Sequence, residues 1–484
     1  MRVAVIGAGP SGIYAAEHLA TQYQVEVDVF DALPVPFGLV RYGVAPDHFS
    51  IRSVREKLAQ TFNNPLVRFR GNVSIGRDLM PSELQDHYDA IVYTYGASLD
   101  RELGIPGENH PMSIAATAFV RWYTGHPDAI DFTDYLSKAT DVAVIGLGNV
   151  AVDVARILSK SAAELEETDI HQHVLDALSP STVRRVHIVG RRGPANATFT
   201  TKELKELGEI PGVDVALDPA DLPDDFAHAS AGNKVVARNL DVMAQWSQRV
   251  ASADRNIEFH FYCAPRNMDL DNGVLMVETM QIDSQGLLTR AGGSKEIAAD
   301  LVIRSIGYRG EGLPGVPFNE DTNVIPSVDG AVIGLENCYV AGWIRRGPSG
   351  IIGTNKKDAV ASINTLFQDR DNTQVSSSAH IDQLLQHRHI DVIDFEGWKR
   401  IDAREKELGG TRNRDRTTIH SRQDLIDIGL GRYPPHSDHL IPHPSEGAPP
   451  VKVVPWSAHS TAARKYSPVI TMSLFGLDES NAPR

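Results

Sequence analysis

The sequence predicts an α/β fold of two Rossmann-like dinucleotide-binding domains, the second inserted into a discontinuous first. Three observations predict it. Two strand, glycine-loop, helix units open at Arg2 and Asp141; an acidic residue closes the first unit where arginines close the second; and a strand ending in glycine, followed by a Gly/Pro turn, recurs after Asp89 and after Asp300. The 484 residues allow two to four domains at roughly 100–200 residues each.

The first unit reads as a strand from Arg2 to Ile6, the loop Gly7-Ala8-Gly9-Pro10-Ser11-Gly12, an Ala-rich helix through Leu19, and a second strand from Val25 to Asp31. In the second unit the strand Val142 to Ile145 runs into Gly146-Leu147-Gly148-Asn149-Val150-Ala151. A helix follows with Val150, Val154, Ile157 and Leu158 on one face. Its second strand, Val186 to Gly190, arrives only after a polar insert around 159–180. The Gly104-Ile105-Pro106-Gly107 and Leu313-Pro314-Gly315 turns mark two crossings of the chain between domains. They give a first domain over 1–105, an inserted domain over 106–314, a return to the first over 315–430, and an extension over 431–484. That extension holds Pro434, Pro435, Pro442, Pro444, Pro449, Pro450, Pro455, Pro468 and Pro483, the composition of an extended wrap or flexible end.

In a GxGxxG loop the first glycine makes the turn, the second lets backbone approach a pyrophosphate, and the third lets helix pack on strand, with the helix N-terminus facing the negative charge. Gly7, Gly9 and Gly12 fill those places, and Asp31 stands 19 residues after Gly12, where a carboxylate accepts from an adenosine ribose. The second unit instead ends in Gly190-Arg191-Arg192. Guanidinium groups in place of the acid select the 2′-phosphate of NADP. Two dinucleotide sites of opposite polarity, one for NADP, mean FAD in the 1–105 and 315–430 domain and NADP in the inserted one, with hydride passing from nicotinamide to flavin.

Composition narrows the remaining classes. Lys and Arg number 47 against 62 Asp and Glu, a net charge of −15 that argues against nucleic acid and anionic membranes as partners. No apolar run approaches a membrane span, so no membrane insertion is expected. The two cysteines, Cys263 and Cys338, supply neither a CxxC pair nor an iron–sulfur cluster, which removes a disulfide reductase and favours a reducing, cytoplasmic setting. No metal ligands are expected.

The stretch Pro34-Val35-Pro36-Phe37-Gly38 running on to Ala45-Pro46-Asp47-His48 resembles the adrenodoxin-reductase-type family of ferredoxin–NADP reductases. So do Val189 to Pro194, Phe199 to Leu207, and Gly342 to Asp358, the last with Gly342-Trp343 where many related flavoproteins carry Gly-Asp. The resemblance spans Met1 to about Gly431 and implies a glutathione-reductase-like fold. Carried over by position, it implies FAD contacts at Ser11, Asp31, Leu39, Ile75, Trp343, Gly350, Ile351 and Ile352. It implies NADP contacts at Arg101, Gly146, Leu147, Gly148, Asn149, Val150, Arg191, Arg192 and Glu203, and a proton-handling pair in His48 and Glu206. Two positions depart from the family: Asp31 replaces a frequent Glu, and Leu147 replaces a frequent Asn, leaving its backbone alone to hold the pyrophosphate. On the residues alone, His48 reads as an ordinary helix-start residue behind an Asp47 cap, with the helix running through Ile51, Val54 and Leu58, and only the resemblance favours proton handling.

The expected activity is an FAD-dependent reductase that takes hydride from NADPH and passes single electrons to a ferredoxin-type iron–sulfur protein. A flavin monooxygenase, or a diaphorase with a small-molecule acceptor, is the alternative. A non-turnover subunit that merely binds both dinucleotides is the reading from another class. An acidic ferredoxin would dock on a local basic surface drawn from Arg184, Arg185, Lys202, Lys205, Arg345, Arg346, Lys356 and Lys357.

Overall fold

Val3 and Val5 face one apolar cluster while Ala4 and Ile6 face another, so the Arg2–Ile6 strand is buried on both sides and reads as a continuous apolar run. The structure, a computed structural model, describes residues 1–249, 252–283, 285–350, 352–368 and 381–432. Ile351 and the proline-rich stretch from 433 onward lie outside the described residues.

Arg2–Ile6 sits inside a seven-stranded sheet. It pairs in parallel with Glu26–Phe30 and Ala90–Tyr93; Val67–Arg70 flanks the former and Cys338–Val340 flanks the latter, both also parallel. Cys338–Val340 comes from far along the chain, so residues after the insert complete the first sheet. The helices Pro10–Gln22, Ile352–Gln368 and Phe395–Gly410 send Ile13, Leu19, Ile363, Leu366 and Trp398 into the Val3/Val5 cluster.

The second sheet has six strands, all parallel, in the order Ser113–Ala115, Leu301–Arg304, Asp141–Ile145, Arg185–Val189, Arg255–His260, Val213–Leu217. The same alternation holds here: Val142 and Val144 face one cluster, Ala143 and Ile145 another. A three-stranded antiparallel sheet, Cys263–Asp269, Val274–Ile282 and Leu288–Ala298, follows the strand that ends at His260. The polar insert contains two short helices, Ala162–Leu165 and Gln172–Leu178.

The recurrent punctuation has a spatial meaning. Ala90–Tyr93 and Leu301–Arg304 each lie beside the first strand of their unit, and the segments leaving them pair as an antiparallel ribbon, Leu99–Asp100 with Tyr308–Arg309. The outgoing and returning chains thus run side by side between the two sheets.

One buried ion pair fixes the segment that follows the first βαβ unit. Arg41 has both terminal nitrogens on Glu405, one at 3.1 Å, and its guanidinium lies over the Tyr42 and Trp398 rings at 5.0 and 5.2 Å. Glu405 also accepts from Arg416 at 3.3 Å and from the Ile419 N–H at 3.0 Å. Removing one member of a buried pair leaves an uncompensated charge. Glu405→Ala is therefore expected to lose about 3–5 kcal/mol of stability, read as a lower midpoint in chemical denaturation at unchanged slope.

Candidate functional site

At the first glycine loop the backbone is held from three sides. The Gly7 N–H donates to the Phe30 carbonyl at 2.7 Å, Phe37 N–H donates to the Ala8 carbonyl at 2.8 Å, and Ile13 N–H donates to the Gly9 carbonyl at 3.0 Å. Gly7 has φ +109°, and a Cβ there would stand 2.7 Å from the Tyr95 Cα; a Cβ on Gly12 would stand 1.9 Å from the Gly7 carbonyl oxygen. A Cβ on Gly9 would meet nothing within 4 Å. Two glycines are thus required by the fold itself, and the middle one faces open space at a helix N-terminus, which is where a phosphate fits.

The second loop repeats the construction. Gly146 N–H donates to the Val189 carbonyl at 2.9 Å, its φ is +143°, and a Cβ would stand 2.1 Å from the Ser305 carbonyl oxygen. Gly148 again has room, its nearest neighbour being Thr198 Oγ1 at 3.5 Å. Asn149 and Val150 open the Asn149–Ser159 helix. The Leu147 side chain lies against Gly190, and its carbonyl accepts from the Thr198 N–H at 2.9 Å, so Leu147 braces the loop against the Gly190-Arg191-Arg192 turn.

Asp31 follows the Glu26–Phe30 strand, and its carboxylate accepts from the Ala8 N–H at 2.8 Å and the Leu33 N–H at 2.9 Å. Burial pushes its carboxyl up to about 6, opposed by those two hydrogen bonds and by Arg422. Arg191 and Arg192 are exposed at the end of Arg185–Val189, and neither is in an ion pair among the described residues.

The remaining expected contacts fall in three places. Ser11 is buried against Gly342, where a Cβ would meet its Oγ at 2.3 Å, so the first loop touches the Gly342-Trp343 turn. Trp343 donates to the Ser349 carbonyl at 3.2 Å and packs on the Tyr308 ring at 5.6 Å; Gly350 is exposed beyond it and Ile352 begins the following helix. Arg101 lies on the crossing segment, donating to the Tyr308 carbonyl at 3.3 Å. Leu39 is 38% exposed, an unusual position for a leucine, whereas Ile75 belongs to the core with Phe30 and Tyr93.

His48 is buried. Its Nε2 stands 3.1 Å from Asp153 Oδ1 and 3.7 Å from Glu206 Oε2. Arg156 binds the same two carboxylates at 2.8 and 3.5 Å and grips Asp47 through two hydrogen bonds of 2.8 and 2.9 Å, with Lys160 on Asp47 at 2.9 Å. Arg156 and Lys160 hold the Asp47 carboxyl well below its usual range against the cost of burial. Asp47 therefore caps no helix. The expected single helix is two short ones, Phe49–Arg52 and Val54–Ala59, and His48 itself takes the N-cap place without a side-chain bond. Glu203 and Glu206 share the Thr201–Leu207 helix; Glu203 is buried and bonded to the Thr200 hydroxyl, and burial with Asp153 nearby raises its carboxyl.

Asp153 and Arg156 were not singled out from the sequence. Asn149, Asp153, Arg156 and Lys160 recur at i, i+4, i+7 and i+11, a polar stripe on a helix otherwise buried, and that stripe is the signal that finds them.

A cradle at each strand end, one backed by an acid and one by two free arginines, defines a two-dinucleotide oxidoreductase. Comparison with known proteins places it more narrowly. Residues 1–195 match the family model for pyridine nucleotide-disulphide oxidoreductases. NADPH-ferredoxin reductase FprA of Mycobacterium tuberculosis is 41% identical over 452 residues, covering 89% of this chain and 99% of that one. Mitochondrial NADPH:adrenodoxin oxidoreductase of Bos taurus is 37% identical over 452 residues, covering 88% and 92%. The structure of Mycobacterium tuberculosis FprA in complex with NADPH superposes with a TM-score of 0.85 at 39% identity, covering 89% of this chain and 99% of that chain. The chain belongs to the adrenodoxin-reductase-type family of ferredoxin–NADP reductases, oxidoreductases with FAD and NADP(H) as their two dinucleotides. Disulfide chemistry is not available to it, since Cys263 and Cys338 are free and lie in different core clusters.

The two glycines of the first loop separate folding from binding. Gly9→Ala is expected to keep the circular dichroism spectrum and unfolding midpoint of the apoprotein yet to purify with little or no FAD. Gly12→Ala, whose methyl meets backbone, is expected to lose stability as well; equal FAD content in Gly9→Ala and wild type would contradict the cradle.

Proposed function

We propose that the protein takes hydride from NADPH and passes single electrons to a small ferredoxin-type iron–sulfur protein. The observation that carries the proposal is the pairing of opposite strand-end chemistries, Asp31 at one cradle and the free Arg191 and Arg192 at the other, in a chain of this family. FAD held between them supplies the conversion from a two-electron donor to a one-electron acceptor.

Each residue has a share in this. Gly7, Gly9, Ser11 and Gly12 admit the FAD pyrophosphate, and the carboxylate lone pairs of Asp31 not taken by Ala8 and Leu33 accept from the ribose. Leu39, Ile75, Trp343, Gly350 and Ile352 line the flavin side; Ile351 lies outside the described residues. Gly146, Leu147, Gly148, Asn149 and Val150 present backbone N–H groups to the NADP pyrophosphate, Arg191 and Arg192 clamp the 2′-phosphate, and Arg101 and Glu203 border the same nucleotide. His48 holds a proton at Nε2 between the Asp153 and Glu206 carboxylates, beside the route that electrons take. The domain limits are drawn at 105/106 and 314/315, in the turns flanking the paired crossing strands, and at 430/431.

The basic docking surface loses four of its eight candidates. Arg184 and Arg185 stand at the start of the Arg185–Val189 strand, the end of the parallel sheet opposite the glycine loop, and Arg185 is spent on Asp141. Arg345 and Arg346 are tied to Asp358 and Asn355. Lys202, Lys205, Lys356 and Lys357 remain exposed. A cytoplasmic setting fits the two buried free thiols, and no helix among the described residues is long and apolar enough to cross a membrane.

NADPH should outperform NADH in kcat/KM, with each charge-assisted contact to the 2′-phosphate worth about 1.5–3 kcal/mol, roughly 10- to 150-fold. Arg191→Ala and Arg192→Ala should each shrink the preference by raising KM for NADPH alone; equal efficiencies in wild type would overturn the clamp.

Cytochrome c reduction by NADPH should need an added ferredoxin, and that rate should fall as salt rises because the Debye length shortens from about 10 Å at 0.1 M to about 3 Å at 1 M. Ferricyanide reduction, which needs no docking, should change less. Parallel salt responses, or no stimulation by any ferredoxin, would favour a small-molecule acceptor instead.

A further inference from the structure

Away from the nucleotide sites, three imidazoles converge from distant parts of the chain. His171 and His173 stand at the start of the Gln172–Leu178 helix, in the insert carried by the second glycine unit, and His420 precedes the Arg422–Gly429 helix. His171 Nδ1 and His173 Nδ1 are 2.6 Å apart. The ring centroids lie at 4.7 Å for His171 and His173, 4.0 Å for His171 and His420, and 4.6 Å for His173 and His420. One ring nitrogen from each lies within 4.8 Å of the other two, and all three rings are partly exposed, so an ion can reach them from solvent.

The backbone beneath the rings is fixed. Thr418 N–H donates to the Asp169 carbonyl at 3.0 Å, Arg414 donates to the Ile170 carbonyl at 3.2 Å, and the Trp122 ring meets His173 edge-on at 6.2 Å. The charges facing the cluster offset one another: Arg412 and Arg414 act on His171, Asp131 and Asp176 on His173, and Asp424 on His420. Burial and mutual repulsion push His171 down to about 2 and His173 to about 4, and burial lowers His420, so each ring is neutral at neutral pH and keeps one unprotonated nitrogen, that of His171 now accepting at Nδ1 from the His173 backbone N–H at 3.2 Å.

A second cluster, His187, Glu258 and His260, makes the contrast. There His187 Nε2 faces Asp141 at 3.2 Å, its Nδ1 faces His260 Nε2 at 3.0 Å, and the Lys295 ammonium stands 3.2 Å from His260 Nδ1. Protons satisfy every ring nitrogen, and an ammonium already occupies the place of a cation. No ammonium or carboxylate closes the first cluster in this way among the described residues.

We propose that His171, His173 and His420 form a three-imidazole site for a divalent transition-metal ion of the zinc type, which ties the insert of the NADP-binding unit to the chain ahead of the Arg422–Gly429 helix. Neutral imidazoles suit zinc, nickel and cobalt, and three of them leave a coordination position for water. The ion takes the place of the proton shared at 2.6 Å, which moves to the other nitrogen of its ring, and the Nδ1–Nδ1 separation opens to roughly 3.3 Å, the edge of a tetrahedron with Zn–N bonds of about 2.0 Å.

The test uses untagged, FAD-loaded, full-length protein, stripped with a chelator and dialysed against Co²⁺ or Zn²⁺. Wild type should take up one equivalent, show the visible absorption of tetrahedral Co²⁺ beside the flavin bands, and gain thermal stability with rising Zn²⁺. His171→Asn, which keeps a helix-capping side chain, and His420→Gln should each lose the uptake and the stabilisation while retaining wild-type FAD content and NADPH–ferricyanide turnover. The paired change His187→Gln with His260→Gln should leave the uptake intact. No stoichiometric uptake by wild type, uptake that survives His420→Gln, or uptake that disappears only with the His187 and His260 changes would overturn the proposal.

Discussion

At the end of the first strand of each unit the main chain passes a neighbouring strand's end more closely than any side chain permits, and much of the molecule is arranged by that closeness. Gly7 passes Tyr95, and Gly146 passes Ser305, each with positive φ and each with a phantom Cβ under 3 Å from backbone. The contact turns the chain sharply into a helix and so aims the helix N-terminus at the open face beside Gly9 or Gly148. It also anchors what comes next on the neighbouring strand. Tyr95 and Ser305 are where the chain leaves the Ala90–Tyr93 and Leu301–Arg304 strands for the Leu99–Asp100 and Tyr308–Arg309 ribbon. Cofactor cradle and domain crossing therefore share one steric constraint, twice over.

The parts legible in the sequence are those whose cause is local. In the first unit the glycine spacing, a strand apolar on both faces and an acid at a strand end are all written within about 30 residues, the span of a βαβ unit, and the second unit keeps the same order from Asp141 to Arg192 across its insert. The repeat at Asp89 and Asp300 was readable for the same reason, since each strand carries its own glycine. What stayed hidden depends on packing between distant segments. Asp47 reads as a helix cap until the Asn149–Ser159 helix brings Arg156 against it, and nothing near Asp47 records that encounter. Arg184 and Arg185 look like docking residues by charge, and only the direction of their strand puts them at the wrong end of the sheet. His171 and His173 are two residues apart in sequence, but the third ring of their cluster, His420, comes from the chain that returns to the first domain and could not be read in advance.

The arginine inventory explains how an acidic protein presents a phosphate site. Most interior arginines are consumed: Arg41 by Glu405, Arg52 and Arg55 by Asp169, Arg156 by Asp47 and Asp153. A guanidinium already paired with a carboxylate must give up that partner before binding a phosphate, and the exchange returns little. Arg191 and Arg192 have no such partner among the described residues and project from a strand end beside a glycine loop. On the proposed reading, selectivity for the extra phosphate comes from leaving these two charges unmatched while the buried arginines are held by carboxylates.

The cluster at His48 couples the two halves of the molecule. His48 and Asp47 belong to the segment after the first βαβ unit, whereas Asp153, Arg156 and Lys160 extend from the second glycine loop and Glu206 comes from the Thr201–Leu207 helix. Asp47 with Arg156 and Lys160, and His48 with Asp153, are matched across the junction, while Arg156 also pairs along its own helix with Asp153, because burial makes an isolated charge costly. Arg156 is the hinge of this arrangement: it touches Asp47, Asp153 and Glu206 at once, so the position of His48 relative to both carboxylates is set by a single buried guanidinium. His48 Nε2, facing both the Asp153 and Glu206 carboxylates, thus takes its place from two helices of the second unit, while Arg156 ties those same carboxylates to Asp47 on the His48 side.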